Sequence, residues 1–204
     1  MMRKAIVLSI VICWLFIPDL AMSQSSSNPT DWTGNVNIFL GSKMLDEDDW
    51  APVDQHFEAG VLIDFKQKSW PISIALDFLS SSDKEDVSFA VLNFGTFNFN
   101  LEGNTTEINL GVRKIWDNPT MVRPFIGGGL AVISAEVKGT ALGLSVSDDD
   151  TGVGVWLEGG AYVTLGQHFN IGAEARWSKA EVTLFNVDGE AGGFHVGALL
   201  GFHW

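Results

Sequence analysis

The chain is poor in the features that mark most protein classes. Its 204 residues contain one cysteine, Cys13, and six prolines, so no intrachain disulfide framework is available. Only one long apolar run exists, Ala5–Ile17, broken only by Ser9, and its thirteen residues fall short of the roughly 20 that a membrane-spanning helix needs. A helical membrane protein is excluded. Basic residues are also few: 12 Lys and Arg stand against 25 Asp and Glu, a net charge of −13. That balance repels phosphate, so nucleic acid is not an expected partner. Extensive disorder is excluded by a hydrophobic content of 46%.

The N-terminus has a recognisable pattern. Met1-Met2-Arg3-Lys4 is a short basic start, Ala5–Ile17 an apolar stretch, and Pro18-Asp19 a break. Ala21-Met22-Ser23 puts small residues at the −3 and −1 positions, so residues 1–23 read as a secretory signal peptide cleaved before Gln24. Cys13 would leave with it, and Ile12 stands where a lipoprotein signal requires a small residue. The mature chain would have 181 residues, no cysteine and a charge of −14. Residues 24–31, including Ser25-Ser26-Ser27-Asn28-Pro29, read as a flexible lead-in.

From residue 32 the chain alternates. Phe57, Ala59, Val61, Ile63 and Phe65 oppose Glu58, Gly60, Leu62 and Asp64. Trp70–Phe78, Ile108–Trp116, Phe169–Trp177 and Phe194–Trp204 repeat the pattern. Each is a β-strand with one apolar and one polar face. Residues 32–43 join them, as do the Gly-rich stretches 121–137 and 153–165, whose facing the sequence leaves open. Eight strands of roughly 10–14 residues result, long enough to cross a bilayer when tilted. Short connections are expected at Lys66–Ser69, Asp117–Thr120 and Leu165–Gln167, and long ones near 44–54, 81–103, 138–152 and 182–191. The expected fold is all-β: an eight-stranded antiparallel up-and-down transmembrane β-barrel over residues 32–204.

A soluble barrel would turn its apolar face inward; three features favour the inverted arrangement. The polar face is rich in Gly41, Gly60, Ala75, Gly111, Gly160, Gly172, Gly197 and Gly201, suiting a narrow lumen. Trp32, Trp70, Trp116 and Trp204 lie on the apolar face beside short turns or termini, as an interfacial girdle would. Trp177 suits the opposite ring, whereas Trp156 shares parity with Glu158 and fits the apolar face only with a bulge. Charge sorts by end, with Lys66, Lys68, Lys114 and Arg123 near the short turns, and Asp46-Glu47-Asp48-Asp49 and Asp148-Asp149-Asp150 in long loops.

Three segments carry a resemblance: Thr106–Arg113, Arg123–Leu130 and Gly193–Trp204. They resemble the small outer-membrane β-barrel domain family that includes the OmpA transmembrane domain and OmpX. The resemblance implies a bacterial outer-membrane location, periplasmic N- and C-termini, and a monomer among lipid and lipopolysaccharide. The alternating C-terminus resembles the signal read by the barrel-assembly machinery, with Trp204 in place of the usual final Phe.

Inward parity brings Glu58, Asp64, Asp77, Glu107, Arg113, Glu158, Glu174 and Arg176 into the lumen, where buried charge needs partners. A structural ion-pair network is the plain reading; a proton or ion path is the sharper one. No catalytic residue and no cofactor is assigned. Some eight-stranded outer-membrane barrels are lipid A-modifying hydrolases, but Arg176-Trp177-Ser178-Lys179 lacks the histidine of the deacylase His-x-Ser-Asn motif. The acidic runs lack EF-hand spacing, and solvated loop tips are the plainer reading, with divalent-ion binding the alternative. Val87–Leu101 alternates too. A ninth strand breaks antiparallel closure, so it reads as a long loop, either a hairpin prolonging strands three and four or a flap over the barrel mouth. The functional expectation is a non-enzymatic outer-membrane barrel with acidic surface loops, acting in envelope integrity or surface interaction. The alternatives are a lipid A-modifying enzyme and a narrow pore.

Overall fold

The computed structural model describes residues 31–91, 95–116, 121–166 and 168–204, with backbone alone at 89–91 and 95–97. The expected signal peptide, nearly all of the lead-in, the Asp117–Thr120 turn and residues 92–94 lie outside the described residues.

The elements are β1 (Trp32–Met44), α1 (Glu47–Trp50), β2 (Gln55–Gln67), β3 (Ser73–Val91), β4 (Gly95–Ile115), β5 (Val122–Ala141), β6 (Leu144–Leu165), β7 (Phe169–Lys179), β8 (Glu181–Leu184), β9 (Val187–Glu190) and β10 (Gly193–His203). Eight of the strands close a barrel in the order β1-β10-β7-β6-β5-β4-β3-β2, every pair antiparallel, and β8–β9 form a separate hairpin. The seam joins the ends of the chain, from Asn35↔His203 to Met44↔Phe194.

Strand length departs from expectation. β1, β2, β7 and β10 have 11–13 residues, but β3, β4, β5 and β6 have 19–22. Two expected long loops are therefore mostly strand. Val87–Leu101 is no ninth strand; β3 runs on to Val91 and β4 starts at Gly95, pairing through Val91↔Gly95. Residues 138–152 continue β5 and β6 around the two-residue turn Leu142-Gly143, with Ala141 opposite Leu144. Both turn residues have positive φ, 52° and 81°, the combination that matches the twist of a tight hairpin and that Gly143 adopts freely. Residues 182–191 form the β8–β9 hairpin, and 44–54 hold α1. Asp46 caps α1 by accepting the Asp48 amide at 3.0 Å.

Around the barrel an apolar belt faces outward, for example Phe78, Leu110, Leu130 and Leu157. At one end of it Trp32, Trp70, Trp116 and Trp204 are 39–45% exposed, with the Trp32 and Trp70 rings edge to face at 5.5 Å. Trp177 faces outward at the opposite end, level with Phe194.

Above the belt the long strands form a four-stranded wall whose faces exchange character. Its outward side becomes polar, with the row Lys84↔Glu102↔Lys138↔Ser147 running across it. Its inward side becomes apolar, as in Leu101, Ile133, Val137, Leu144 and Val146. The lower part of that apolar side is covered: Ile133, Ala135 and Trp156 pack with Leu45, Trp50, Val53, Val182 and Ala191, and Leu101 and Val137 pack against the cluster. Trp50 Nε1 ties the cover together by donating to the Glu190 carbonyl at 2.7 Å.

Inside the belt a second apolar cluster holds Phe39, Leu62, Leu79, Ile115, Phe125, Tyr162 and Leu199. The glycines of the inner face are seats for these rings. A Cβ on Gly197 would lie 2.6 Å from Phe39 Cζ, and one on Gly160 would lie 2.5 Å from Phe125 Cζ. The Gly-rich strands also acquire a facing, odd positions of β5 and even positions of β6 turning inward. β5 and β6 pair without interruption from Val122↔Val163 to Ala141↔Leu144, so no bulge intervenes and Trp156 points into the lumen, fully buried.

Candidate functional site

The lumen is the obvious place for chemistry, and its buried polar residues come from seven of the eight strands. Arg113 on β4 is the hub. Its guanidinium donates to Asp64 Oδ2 at 3.2 Å, to both Asp77 oxygens at 3.1 and 3.2 Å, and to both oxygens of Glu158. Arg176 on β7 donates to Asp77 and Glu158 at 2.6 Å each and to Glu174 at 2.9 Å. The two guanidiniums thus share two acceptors, and aromatic rings cover them: Arg113 lies 5.5 Å from the Phe125 centroid, and Arg176 4.8 Å from that of Trp156. Asp64, Asp77, Glu158 and Glu174 are almost completely buried.

Toward the wall lies a second group, for which inward parity gave Glu58 and Glu107 but not their partners. Lys43 Nζ donates to Glu107 at 2.6 Å, to Thr105 Oγ1 at 2.9 Å and to the Ala191 carbonyl at 2.9 Å. His195 Nδ1 is 2.8 Å from Glu58 Oε2, and its Nε2 is 2.9 Å from Ser178 Oγ. Toward the tryptophan end, Asn35 donates to Asp64 at 2.8 Å and accepts from Asn170 at 2.8 Å. Lys43 carries no sequence signal of its own: it shares the inward parity of Asn35 and Asn37, but a lysine at a strand end reads as solvent-facing.

Ser178, His195 and Glu58 have the connectivity of a nucleophile, base and orienting carboxylate, and the histidine missing from the Ser178 segment is supplied by neighbouring β10. Glu107 competes for the proton that this chemistry needs. Ser178 Oγ lies 3.1 Å from Glu107 Oε1 as well as 2.9 Å from His195 Nε2, so its single hydroxyl proton has a carboxylate acceptor beside the base. Ser178 is also fully buried, which denies a substrate access. Glu58, Glu107 and His195 present ligand atoms within 4.8 Å of one another, a set that suits a divalent metal. The Lys43 ammonium already sits on Glu107, so the chain supplies a cation of its own there.

The acidic runs are not simply solvated tips. Asp150 accepts the Thr183 amide at 2.7 Å, Asp148 accepts the Phe185 amide, and Asp49 accepts the Glu190 amide at 2.8 Å. Carboxylates from α1 and β6 thus fasten the β8–β9 hairpin. The Thr183 amide holds the Asp150 carboxyl below the usual carboxylate range, with the Thr151 amide adding to it. Lys84, at 3.1 Å, does the same for Glu102 on the outer wall.

A closed eight-stranded ring with an apolar exterior and a salt-bridged interior defines a class, the transmembrane β-barrel: only lipid makes that exterior favourable, and only closure satisfies every strand edge within it. The sequence matches the outer membrane protein beta-barrel domain over residues 10–202, and the chain belongs to that family. Among curated proteins no sequence matches significantly. Among solved structures the chain is similar to Ail, the attachment invasion locus protein of Yersinia pestis in complex with the heparin analogue sucrose octasulfate. The identity there is 14%, over 86% of this chain and 100% of that one, with a TM-score of 0.57. It is similar also to Neisserial surface protein A, at 11% identity, 85% and 96% coverage and a TM-score of 0.49. The β-barrel domain of Pseudomonas aeruginosa OprF shares 16% identity, with 84% and 99% coverage and a TM-score of 0.45.

Proposed function

We propose that this protein is a non-enzymatic outer-membrane barrel that holds a rigid β-wall at the cell surface for surface interaction. The observation that carries this reading is the four-stranded wall, in which four strands continue well past the apolar belt with their polarity reversed. A structure needed only to anchor or to seal has no use for that extension. In this reading residues 1–23 direct export, the barrel-assembly machinery inserts a monomer among lipid and lipopolysaccharide, and both termini are periplasmic. The lumen ion pairs are structural, which argues against a narrow pore, because the cross-section is filled by side chains that hold one another. The Ser178–His195–Glu58 chain is the one feature favouring a lipid A-modifying enzyme, and the burial of Ser178 weighs against it.

The mature chain lacks cysteine, which permits a direct test. Single cysteines at Asp48 and Asp149 should react with an impermeant maleimide on intact cells, and one at Gln67 should not. Replacing residues 83–103 and 136–150 by tight turns should leave a heat-modifiable barrel while abolishing cell attachment to host or abiotic surfaces. Unreactive cysteines at Asp48 and Asp149, or attachment that survives loss of the wall, sink the proposal. Lipid A that changes in mass with the protein present would instead revive the enzyme.

A further inference from the structure

The wall's inner face is only partly covered. Above the Trp50 cluster two hollows adjoin, sharing Val137 and Phe185. The upper, about 360 Å³, is lined only by apolar residues and glycine, among them Phe99, Leu101, Leu144 and Val146. Leu144 and Val146 are 76% and 63% exposed, a large uncovered apolar surface outside the belt. The lower, about 280 Å³, adds Asp48, Asp49 and Asp188. Among the described residues, no basic side chain lines either hollow.

Those charges select among possible occupants. The lead-in Gln24–Thr30 carries no large apolar side chain and so offers nothing to seat there. A second copy, at net charge −13, brings like charge to like charge. Lipid phosphate or a sulfated polysaccharide would meet three carboxylates. An apolar trough ending in carboxylates complements a segment with apolar side chains on one face and lysine or arginine beside them.

Resting on the surface-interaction reading above, we propose that the two hollows form one groove that binds a cationic amphipathic peptide segment. Its apolar side chains seat on Leu101, Leu144, Val146 and Phe185, and its cations meet Asp48 and Asp188, whose Oδ1 also accepts the Thr183 hydroxyl at 2.8 Å. Asp49, occupied by the Glu190 amide, shapes the acidic end.

The test uses the mature protein in phosphatidylcholine nanodiscs and a fluorescent Leu/Lys amphipathic peptide about 14 residues long, a helix-in-groove probe. Empty nanodiscs give the background. Binding should exceed that background. It should weaken about tenfold or more in Leu144→Ser/Val146→Ser, which removes seating area, and should weaken likewise in Asp48→Asn/Asp188→Asn. A peptide with Glu in place of Lys should not bind. Heat-modifiable migration of both variants establishes that the barrel is intact, since the altered side chains lie outside the belt. The proposal is overturned if wild-type binding equals that of empty discs, if both variants bind like wild type, or if the Glu peptide binds as well as the Lys peptide. Maleimide labelling at Asp149 separates the two readings. A reactive cysteine with no peptide binding ends the groove proposal alone, and an unreactive one ends both.

Discussion

The wall continues four of the belt's eight strands with the same period of two, yet the two faces of belt and wall mean opposite things. In the belt Leu110 and Leu130 point out and Glu107 and Asn109 point in; in the wall Glu102 and Lys138 point out and Leu101 and Val137 point in. Nothing in the backbone changes between them, since β4 and β5 pair without a break from Phe99↔Ala141 to Ile115↔Phe125. What changes is the solvent. Against lipid an outward charge loses its hydration, so the strand spends its polar residues on the lumen, where they pair. Against water the ordinary arrangement returns, and the apolar side needs a cover, which α1 and the β8–β9 hairpin partly supply. The boundary can be read residue by residue, where Ile108 and Val132 give way to Thr106 and Ser134.

The strongest challenge to this comparison is to leave the belt's interior unpaired. Arg113→Met leaves Asp64 with no cation and Asp77 and Glu158 with Arg176 alone, and breaking a buried network in this way costs about 3–5 kcal/mol. Urea unfolding followed by tryptophan fluorescence in micelles should show the midpoint fall accordingly. Next, one substitution made in both regions tests the exchange of faces directly. Leu110→Arg in the belt should cost about 2–4 kcal/mol, whereas Asn100→Arg on the outer wall should stay within about 0.5 kcal/mol. Equal losses in the same assay would mean that the wall lies in lipid as well.

Glycines sharpen the contrast at smaller scale. Gly197→Val drives a side chain into Phe39 and the Leu40 carbonyl and should cost about 1–3 kcal/mol. Gly189→Ala, whose Cβ meets Asp49 at an ordinary 3.5 Å, should be neutral within about 0.5 kcal/mol. Thermal unfolding of the two variants is the check. The smallest effect concerns the wall's cover. Because the folded Asp150 carboxyl titrates below its unfolded value, its hold on the hairpin is complete above the ordinary carboxylate range and is lost as pH falls through the lowered value. The Thr183 amide resonance should shift with pH only in that acid range and should not shift in Asp150→Asn.

Much of the barrel was legible because lipid and lumen impose strict alternation over the belt. The parity of Glu58 and Asp64, of Ile108 and Leu110, and of Phe194 and Val196 was open to reading, as were the four girdle tryptophans. The Gly-rich strands were not, because a glycine marks neither face; only pairing with β4 and β7 assigns Trp156 to the interior beside Arg176. For Val87–Leu101 the hairpin reading is the one the structure shows, with β3 and β4 prolonged and paired as far as Val91↔Gly95, whereas residues 138–152 read as a loop because a belt-length segment looks like a whole strand. An alternation that continues with its faces exchanged looks, in sequence, like the end of one. Ser178, His195 and Lys43 sit far apart in the chain, so their meeting had no local signal.

The sequence by itself determined a closed, eight-stranded, inside-out barrel, because side-chain parity and turn spacing are local properties that each strand carries alone. The tertiary structure decided which carboxylate each arginine meets, which glycine each ring rests on, and how far the sheet rises above the belt. Those outcomes depend on register between neighbouring strands, and register is a relation between segments that no single segment contains.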